Sequence, residues 1–229
     1  MLRLCDGYRA LVIGASGTIG RAFCDALQRD ERCAEVVPLT RHCPQPWDLR
    51  DEASIVALVG SVAGPFHLVI DATGALTVDG RGPEKRLHDL EANGLVACLQ
   101  INAIGPLLLL RHLSPMLARG ERVVWAKLSA RVGSIEDNRK GGWYSYRMAK
   151  AALNQGLQTA AIELTRQRSA LIVAALQPGT VRSPLSRPFV GDAATSATDA
   201  VAGLLTAIDS LDPTGRAHFV DHAGQPVPW

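Results

Sequence analysis

A single doubly wound parallel sheet with helices on both faces is the α/β architecture this chain predicts, on three observations. Short apolar runs alternate with helix-length amphipathic stretches from end to end. One of these runs, Phe66 to Ala72 (FHLVIDA), is apolar almost without interruption, as a strand buried on both faces should be. The first run leads through a glycine turn into a helix, the opening of a βαβ unit. At 229 residues and 47% apolar content, residues 1–229 suit one domain with a substantial core.

Composition narrows the function classes. A formal charge of +2, with acids and bases interspersed, provides no basic field for nucleic acid, so any anion site must be local. Five cysteines without a CxxC pair suit reduced thiols. The N-terminus has no signal-peptide pattern, and the longest apolar run, near Leu107 to Leu110, is far too short to span a bilayer. The expectation is a soluble, cytoplasmic protein.

Tyr8 to Ile13 reads as the first strand, GASGTIG (Gly14 to Gly20) as a turn, and Arg21 to Arg29 as a helix. Glycines there let the backbone approach a pyrophosphate, with Gly14, Ser16, Thr18, Ile19 and Gly20 around it and the helix N-terminus offering free N–H groups. The alternative is a tight turn of any α/β protein. Glu35 to Leu39 is a second strand ending at Arg41, whose planar fork suits a 2′-phosphate. This favours NADP(H) over NAD(H); the alternative is a merely solvated arginine. Too few residues separate Arg41 from Asp48 and Leu49 for a parallel crossover, so the third strand and its preceding helix should be reduced. Asp48 could accept from an adenine amino group or cap the helix Glu52 to Val62.

Phe66 to Ala72 delivers Ala72, Thr73 and Gly74 to the sheet end where ligands bind. Val78 to Leu87 is a loop, and Leu90 to Leu117 a helix interrupted at Asn102 and at Gly105-Pro106; Asn102 is either a core hydrogen bonder or a kink. Arg122 to Leu128 is a strand ending at Ser129, and SARVGSIEDNRKGG a loop. In the helix that follows, WYSYRMAKAALNQ, Tyr146 and Lys150 stand four residues apart on one face. A cation there would favour the ionised phenol and make it an acid-base group near neutrality; an ordinary surface pair is the bland alternative. Ala170 to Leu176 is a strand leading to QPGTVRS. Leu185 to Ala197 is a connection, Thr198 to Leu211 a helix and Arg216 to Val220 the last strand.

Six blocks in this order resemble the short-chain dehydrogenase/reductases, specifically the C-factor/sniffer-like carbonyl reductase group, over nearly the full length. GASGTIG is similar to the family's TGxxxGxG, and IDATGAL (Ile70 to Leu76) to its INNAGxL, with Asp71, Ala72 and Thr73 replacing Asn-Asn-Ala. INAIGPLLLLRHLSPML, SARVGSIEDNRKGGWYSYRMAKAALN, QPGTVRSPLSRPF and HFVDHAGQPVPW are similar to further segments of that group. The resemblance implies a Rossmann fold and NADP(H)-dependent interconversion of a small carbonyl and its alcohol. It implies Tyr146 as general acid/base, Lys150 on the nicotinamide ribose, Asn102 holding a water that links Lys150 to solvent, and Pro178, Gly179 and Val181 beside the nicotinamide. A homodimer through the central helices would also fit, although a buried core explains the same apolar run.

The family's catalytic serine falls on Ala130 when LSARVG is aligned on Gly133. Ser129 is expected to take the role ahead of Ser134, provided the strand end bends or bulges, with Ala130 as packing. Leu185, Pro188, Phe189 and Trp143 could meet substrate or another subunit. A cofactor-binding signalling or regulatory protein with little turnover is the alternative from another class. No metal site is expected.

Overall fold

Successive residues along each strand alternate in which helical layer they face, and this alternation organises the molecule. The computed structural model describes residues 2–42, 45–183 and 194–229. Its strands are β1 (Tyr8–Ile13), β2 (Cys33–Leu39), β3 (Leu68–Asp71), β4 (Val123–Leu128), β5 (Leu171–Gln177) and β6 (Ala217–Asp221). All pair in parallel, in the order β2-β1-β3-β4-β5-β6. The chain runs outward from β1 to β2 and returns past β1 to β3. The C-terminal ends of β1 and β3 therefore flank a topological switch point, where such sheets bind ligands.

The helices are α1 (Thr18–Gln28), α2 (Glu52–Gly60), α3 (Ala92–Leu99), α4 (Gly105–Leu113), α5 (Tyr144–Thr165) and α6 (Ala197–Ser210). Leu11, Ile13, Val69, Trp125 and Val173 pack with Ile55 of α2, Leu109 of α4, and Leu153 and Leu157 of α5. The intervening Ala10, Val12, Leu68, Ile70, Val124, Ile172 and Ala174 pack with Phe23 and Leu27 of α1 and Leu204 and Ile208 of α6. A period of two along each strand thus supplies two cores from one sheet.

Four expectations are refined. Among the described residues no strand forms between Arg41 and Asp51, where the reduced third strand is expected. Helix α1 begins at Thr18, three residues before Arg21, because Gly17 already serves as its N-cap. Asp51, not Asp48, caps α2, accepting from Ala53 N at 3.0 Å, and the helix stops at Gly60. The long helix is divided: Gln100–Ile104 makes one π turn around Asn102, and Gly105-Pro106 starts α4, where a missing proline N–H is harmless.

Ala92–Met116 as a whole is long and apolar enough, by length and composition, to cross a membrane, a property that inspection of Leu107 to Leu110 alone overlooks. Here Asn102, Ala103, Leu109, Leu110 and Leu113 of that stretch are buried in the fold.

A Cβ on Gly20 would overlap the Gly14 carbonyl oxygen, whereas one on Gly60 would meet nothing within 4 Å. Gly20→Ala is expected to lower stability by about 1–3 kcal/mol, as overpacking does. Gly60→Ala is expected to be neutral or to stabilise by up to about 1 kcal/mol. Urea unfolding of the two variants side by side measures the difference.

Candidate active site

The glycine turn is built to bring backbone close to a ligand. Gly14 has φ +79°, and its N–H and that of Ala15 donate to Leu39 O at 2.9 and 3.0 Å, tying the turn to the end of β2. A Cβ on Gly14 would stand 3.1 Å from the Ala72 carbonyl carbon and 3.2 Å from Thr73 N, so the ends of β1 and β3 nearly touch. Helix α1 opens beside them with no side-chain cap and no acid in its first turn, and Ser16, Gly17 and Thr18 are exposed. Its unpaired first-turn N–H groups, including those of Ile19 and Gly20, and its positive dipole end suit a pyrophosphate.

Arg41 is exposed just beyond β2 and close enough to lower the Asp48 carboxyl electrostatically. The larger influence on Asp48 is its hydrogen bonding to Arg50, at 2.9 Å, which holds the carboxyl below its ordinary range. Arg50 reaches on to Asp79 at 3.1 Å. Leu49 packs on α4: a Cβ on Gly105 would lie 2.5 Å from its carbonyl oxygen. Asp48 is therefore half of an ion pair, within the electrostatic reach of Arg41.

The N-terminus of α5 is fixed by its surroundings. Gly141, Gly142 and Trp143 adopt φ of 63°, 64° and 57° in succession, a left-handed run that only the last residue enters at a steric cost. Trp143 N donates to Glu84 O at 2.5 Å, and Ser145 N to the Glu84 carboxylate at 2.9 Å. The Arg147 guanidinium donates to the carbonyls of Gly141, Gly142 and Val132 at 2.9 to 3.3 Å. Tyr146 then stands edge-to-face to Trp143, with ring centroids 6.3 Å apart.

Lys150 is buried one turn further along. Its Nζ donates to Leu128 O at 3.0 Å and lies 5.6 Å from the centroid of the Tyr146 ring. Burial, reinforced by Lys127 and opposed by Asp71 and Cys98, pulls its ammonium down to about 7. Burial, with the Cys98 thiol, pushes the Tyr146 phenol up. In the protein alone the phenol is thus held above its ordinary range, with burial as the largest cause.

Asn102 is fully buried. Its Nδ2 donates to Ala75 O at 2.8 Å and Cys98 O at 3.2 Å, and its Oδ1 accepts from Ala75 N at 3.0 Å. Both sequence alternatives hold together, since it is a core hydrogen bonder inside the π turn. One Oδ1 lone pair is left for the expected water. A Cβ on Gly74 would lie 3.1 Å from Asn102 Oδ1 and 3.6 Å from Lys150 Nζ, which places the β3 end between the two side chains.

The serine expectation needs correction. Pairing of β4 with β5 continues regularly to Leu128, and Ser129 N still donates to Leu176 O at 2.8 Å, so the bend that Ser129 required does not occur. Its hydroxyl is buried and donates to Asn154 Oδ1 at 2.6 Å. Ser134 Oγ accepts from Asp137 N at 3.0 Å and donates to Trp229 O at 3.3 Å. Both hydroxyls support the scaffold, while Ala130 sits extended between them.

Pro178, Gly179 and Val181 follow β5. Gly179 has φ +76°, and a Cβ there would meet the His222 ring at 2.9 Å; Val181 pairs with Thr195 in an isolated parallel bridge. Leu185, Pro188 and Phe189 lie outside the described residues. A cavity of about 290 Å³ opens between the 76–91 loop, α3 and the start of α5, lined in part by Glu84, Cys98 and Ser145. Sequence reasoning missed these three, and also the fully buried Lys127, whose one sequence signal is a lysine inside the apolar strand VVWAKL. Cys5, His67 and Glu121 bring possible ligand atoms within 4.8 Å of one another. His67 Nδ1, however, accepts from Arg9 N at 3.1 Å, which places the ring proton on Nε2 facing Glu121 at 3.0 Å. So tied, the imidazole has no lone pair for a metal.

A phosphate cradle at the sheet's switch point, with a tyrosine and a buried lysine one helical turn apart beside it, defines a dinucleotide-dependent class of protein. A family model described as enoyl-(acyl carrier protein) reductase matches residues 21–211, and the chain belongs to the short-chain dehydrogenase/reductase family. It is 33% identical over 166 residues to the C-signal protein of Myxococcus xanthus, covering 72% of this chain and 94% of that one. It is also 33% identical over 132 residues to 1-hydroxy-2-glutathionyl-2-methyl-3-butene dehydrogenase of a Rhodococcus species, 57% of each chain. Among solved structures, NADPH-bound carbonyl reductase from chicken fatty liver superposes with TM-score 0.85 at 22% identity, over 100% of this chain and 96% of that one. The carbonyl reductase Sniffer of D. melanogaster gives 0.79 at 19% identity, over 97% and 99%. These likenesses bear out the fold expected from the sequence.

The buried Lys150 makes stability depend on pH. Unfolded, its amine keeps a proton up to about 10.5; folded, it releases it near 7. Between these values the unfolded chain binds more protons, so the cost of burying Lys150 is full below about pH 7 and fades as pH rises towards 10.5. Lys150→Met is therefore expected to be more stable than the parent by on the order of a few kcal/mol near pH 6, with the gap closing by about pH 10. Urea unfolding midpoints across that range provide the check.

Proposed function

We propose that this chain is an NADP(H)-dependent oxidoreductase that interconverts a small carbonyl compound and its alcohol. The observation that carries this reading is the convergence of Tyr146, Lys150 and Asn102 on the C-terminal edge of the sheet, beside an uncapped helix N-terminus. The NADPH bound to the chicken carbonyl reductase supports the choice of cofactor. When bound, the dinucleotide supplies the hydride.

Gly14, Ser16, Thr18, Ile19 and Gly20 would hold the pyrophosphate and Arg41 the 2′-phosphate. Asp48 and Leu49 would flank the adenine, and Ala72, Thr73 and Gly74 would lie along the cofactor. Pro178, Gly179 and Val181 would line its nicotinamide side. Tyr146 would give its phenolic proton to the oxygen of the developing alkoxide, or take it back in the reverse direction. Lys150, held by Leu128 O, would keep its remaining N–H groups for the nicotinamide ribose and bring a positive charge near the phenol. Asn102 fixes Ala75 and so the loop over the site. The edge-to-face Trp143 ring would form an apolar wall for substrate.

The exposed Val96, Ile104, Met148 and Ile162, on α3, the π turn and α5, support a homodimer through these helices. We place the protein in the cytoplasm on its cysteine pattern. Joint retention of the tyrosine, lysine and asparagine weighs against the binding-only signalling alternative.

A screen of NADPH oxidation against small aldehydes, ketones and quinones tests the reading. Tyr146→Phe is expected to bind NADPH nearly as tightly as the parent while losing most of kcat, because only the proton is removed. Turnover comparable to the parent's would overturn the assignment. Arg41→Ala is expected to weaken NADPH at least about tenfold more than NADH, since a charge-assisted bond to phosphate is the strong kind. Titrating both cofactors by fluorescence decides whether Arg41 reads the 2′-phosphate.

A further inference from the structure

Lys127 and Asp71 form an ion pair inside the sheet that the proposed mechanism does not use. They are register partners on neighbouring β4 and β3, and both are wholly buried. Their Nζ–Oδ1 distance is 3.0 Å. Lys127 Nζ also donates to Thr73 O at 2.6 Å and Thr73 Oγ1 at 3.0 Å. The Thr73 hydroxyl and N–H in turn donate to Asp71 Oδ1 at 2.6 and 2.9 Å. Asp71 Oδ2, buried too, has no hydrogen-bond partner among the described residues. An isolated buried pair of this kind adds little to stability compared with apolar residues.

Its position gives it another use. Ile13, Val69, Trp125 and Val173 face the layer that contains α5, and strand alternation places Asp71 and Lys127 on that same face. Thr73, which Lys127 grips, precedes Gly74, the residue wedged between Asn102 Oδ1 and Lys150 Nζ. We propose that Lys127 is a positioning residue for Lys150: paired with Asp71, it fixes the Thr73–Gly74 turn against the site and sets a second cation behind the first. The charged and titratable groups acting on Lys150 are Lys127 on β4, Asp71 on β3, Cys98 on α3 and Tyr146 on its own helix. Of these, Lys127 disfavours its ammonium, and Asp71 and Cys98 favour it.

For its meaning in turnover this inference rests on the role of Lys150 proposed above; its test does not. The chain has four lysines, Lys85, Lys127, Lys140 and Lys150, and Lys85 and Lys140 are exposed. Lysine Cε signals can therefore be titrated individually by NMR in the full-length protein without dinucleotide, with Lys150 assigned by Lys150→Met. Asp71→Asn, which preserves shape and an acceptor for Thr73, is expected to lower the Lys150 midpoint. Lys127→Met is expected to raise it, each by roughly one pH unit.

Opposite signs are the signature, because a purely structural disturbance of the turn would move both midpoints in one direction. Should Lys127→Met fail to fold, the double variant Lys127→Met/Asp71→Asn replaces it and must titrate above Asp71→Asn alone. Equal midpoints in those two, or shifts of one sign in both single variants, overturn the proposal. Shifts as expected in a protein that turns over no carbonyl with NADPH would sink the oxidoreductase reading and leave this one standing.

Discussion

Two lysines, one on β4 and one on α5, buried between the parallel sheet and the helical layer that contains α5, impose the constraint on which the rest of the site depends. An ammonium out of water must find acceptors or give up its proton. Lys127 finds Asp71 and Thr73, and Lys150 finds the carbonyl at the end of β4. Each solution pins a backbone segment: the turn after β3 in one case, the exit of β4 in the other. The geometry at the C-terminal edge of the sheet follows from where those two Nζ atoms had to be satisfied.

The helical layer answers to the same demand. Asn102 could not be both buried and satisfied in a regular α-helix without facing the β3 loop, and the π turn aims it there. Ser129, whose hydroxyl points under α5 by strand alternation, is spent on Asn154, one turn beyond Lys150. The buried polar groups beneath α5 thus hold sheet, helix and loop together, leaving Tyr146 partly exposed above them. Its raised proton affinity and the lowered one of Lys150 share their largest cause, the scarcity of water in that layer.

Much of this was legible in the sequence because it is local. The β1 span, the glycine turn, the four-residue spacing of Tyr146 and Lys150 and the reduction of the third strand depend on neighbours along the chain, where periodicity and loop length carry the information. Helix starts were misplaced by a few residues where a backbone cap without a side-chain bond, as at Gly17, leaves no chemical signal. Asp48 and Asp51 are equally plausible caps by composition, and only the course of the chain makes Asp51 the acceptor.

What the sequence determined by itself is the order of strands and helices, the glycine turn and the spacing of Tyr146 and Lys150 on one helix. Each of these is written in residue type and short spacing. Tertiary structure alone decided that Ser129 serves Asn154, that Ser134 serves Trp229, that Asp71 meets Lys127, and that burial raises the Tyr146 phenol. The physical reason is that hydrogen-bond partners 25, 95 and 56 residues apart, and the dielectric between them, exist only once the strands are in register and the helices have closed over them.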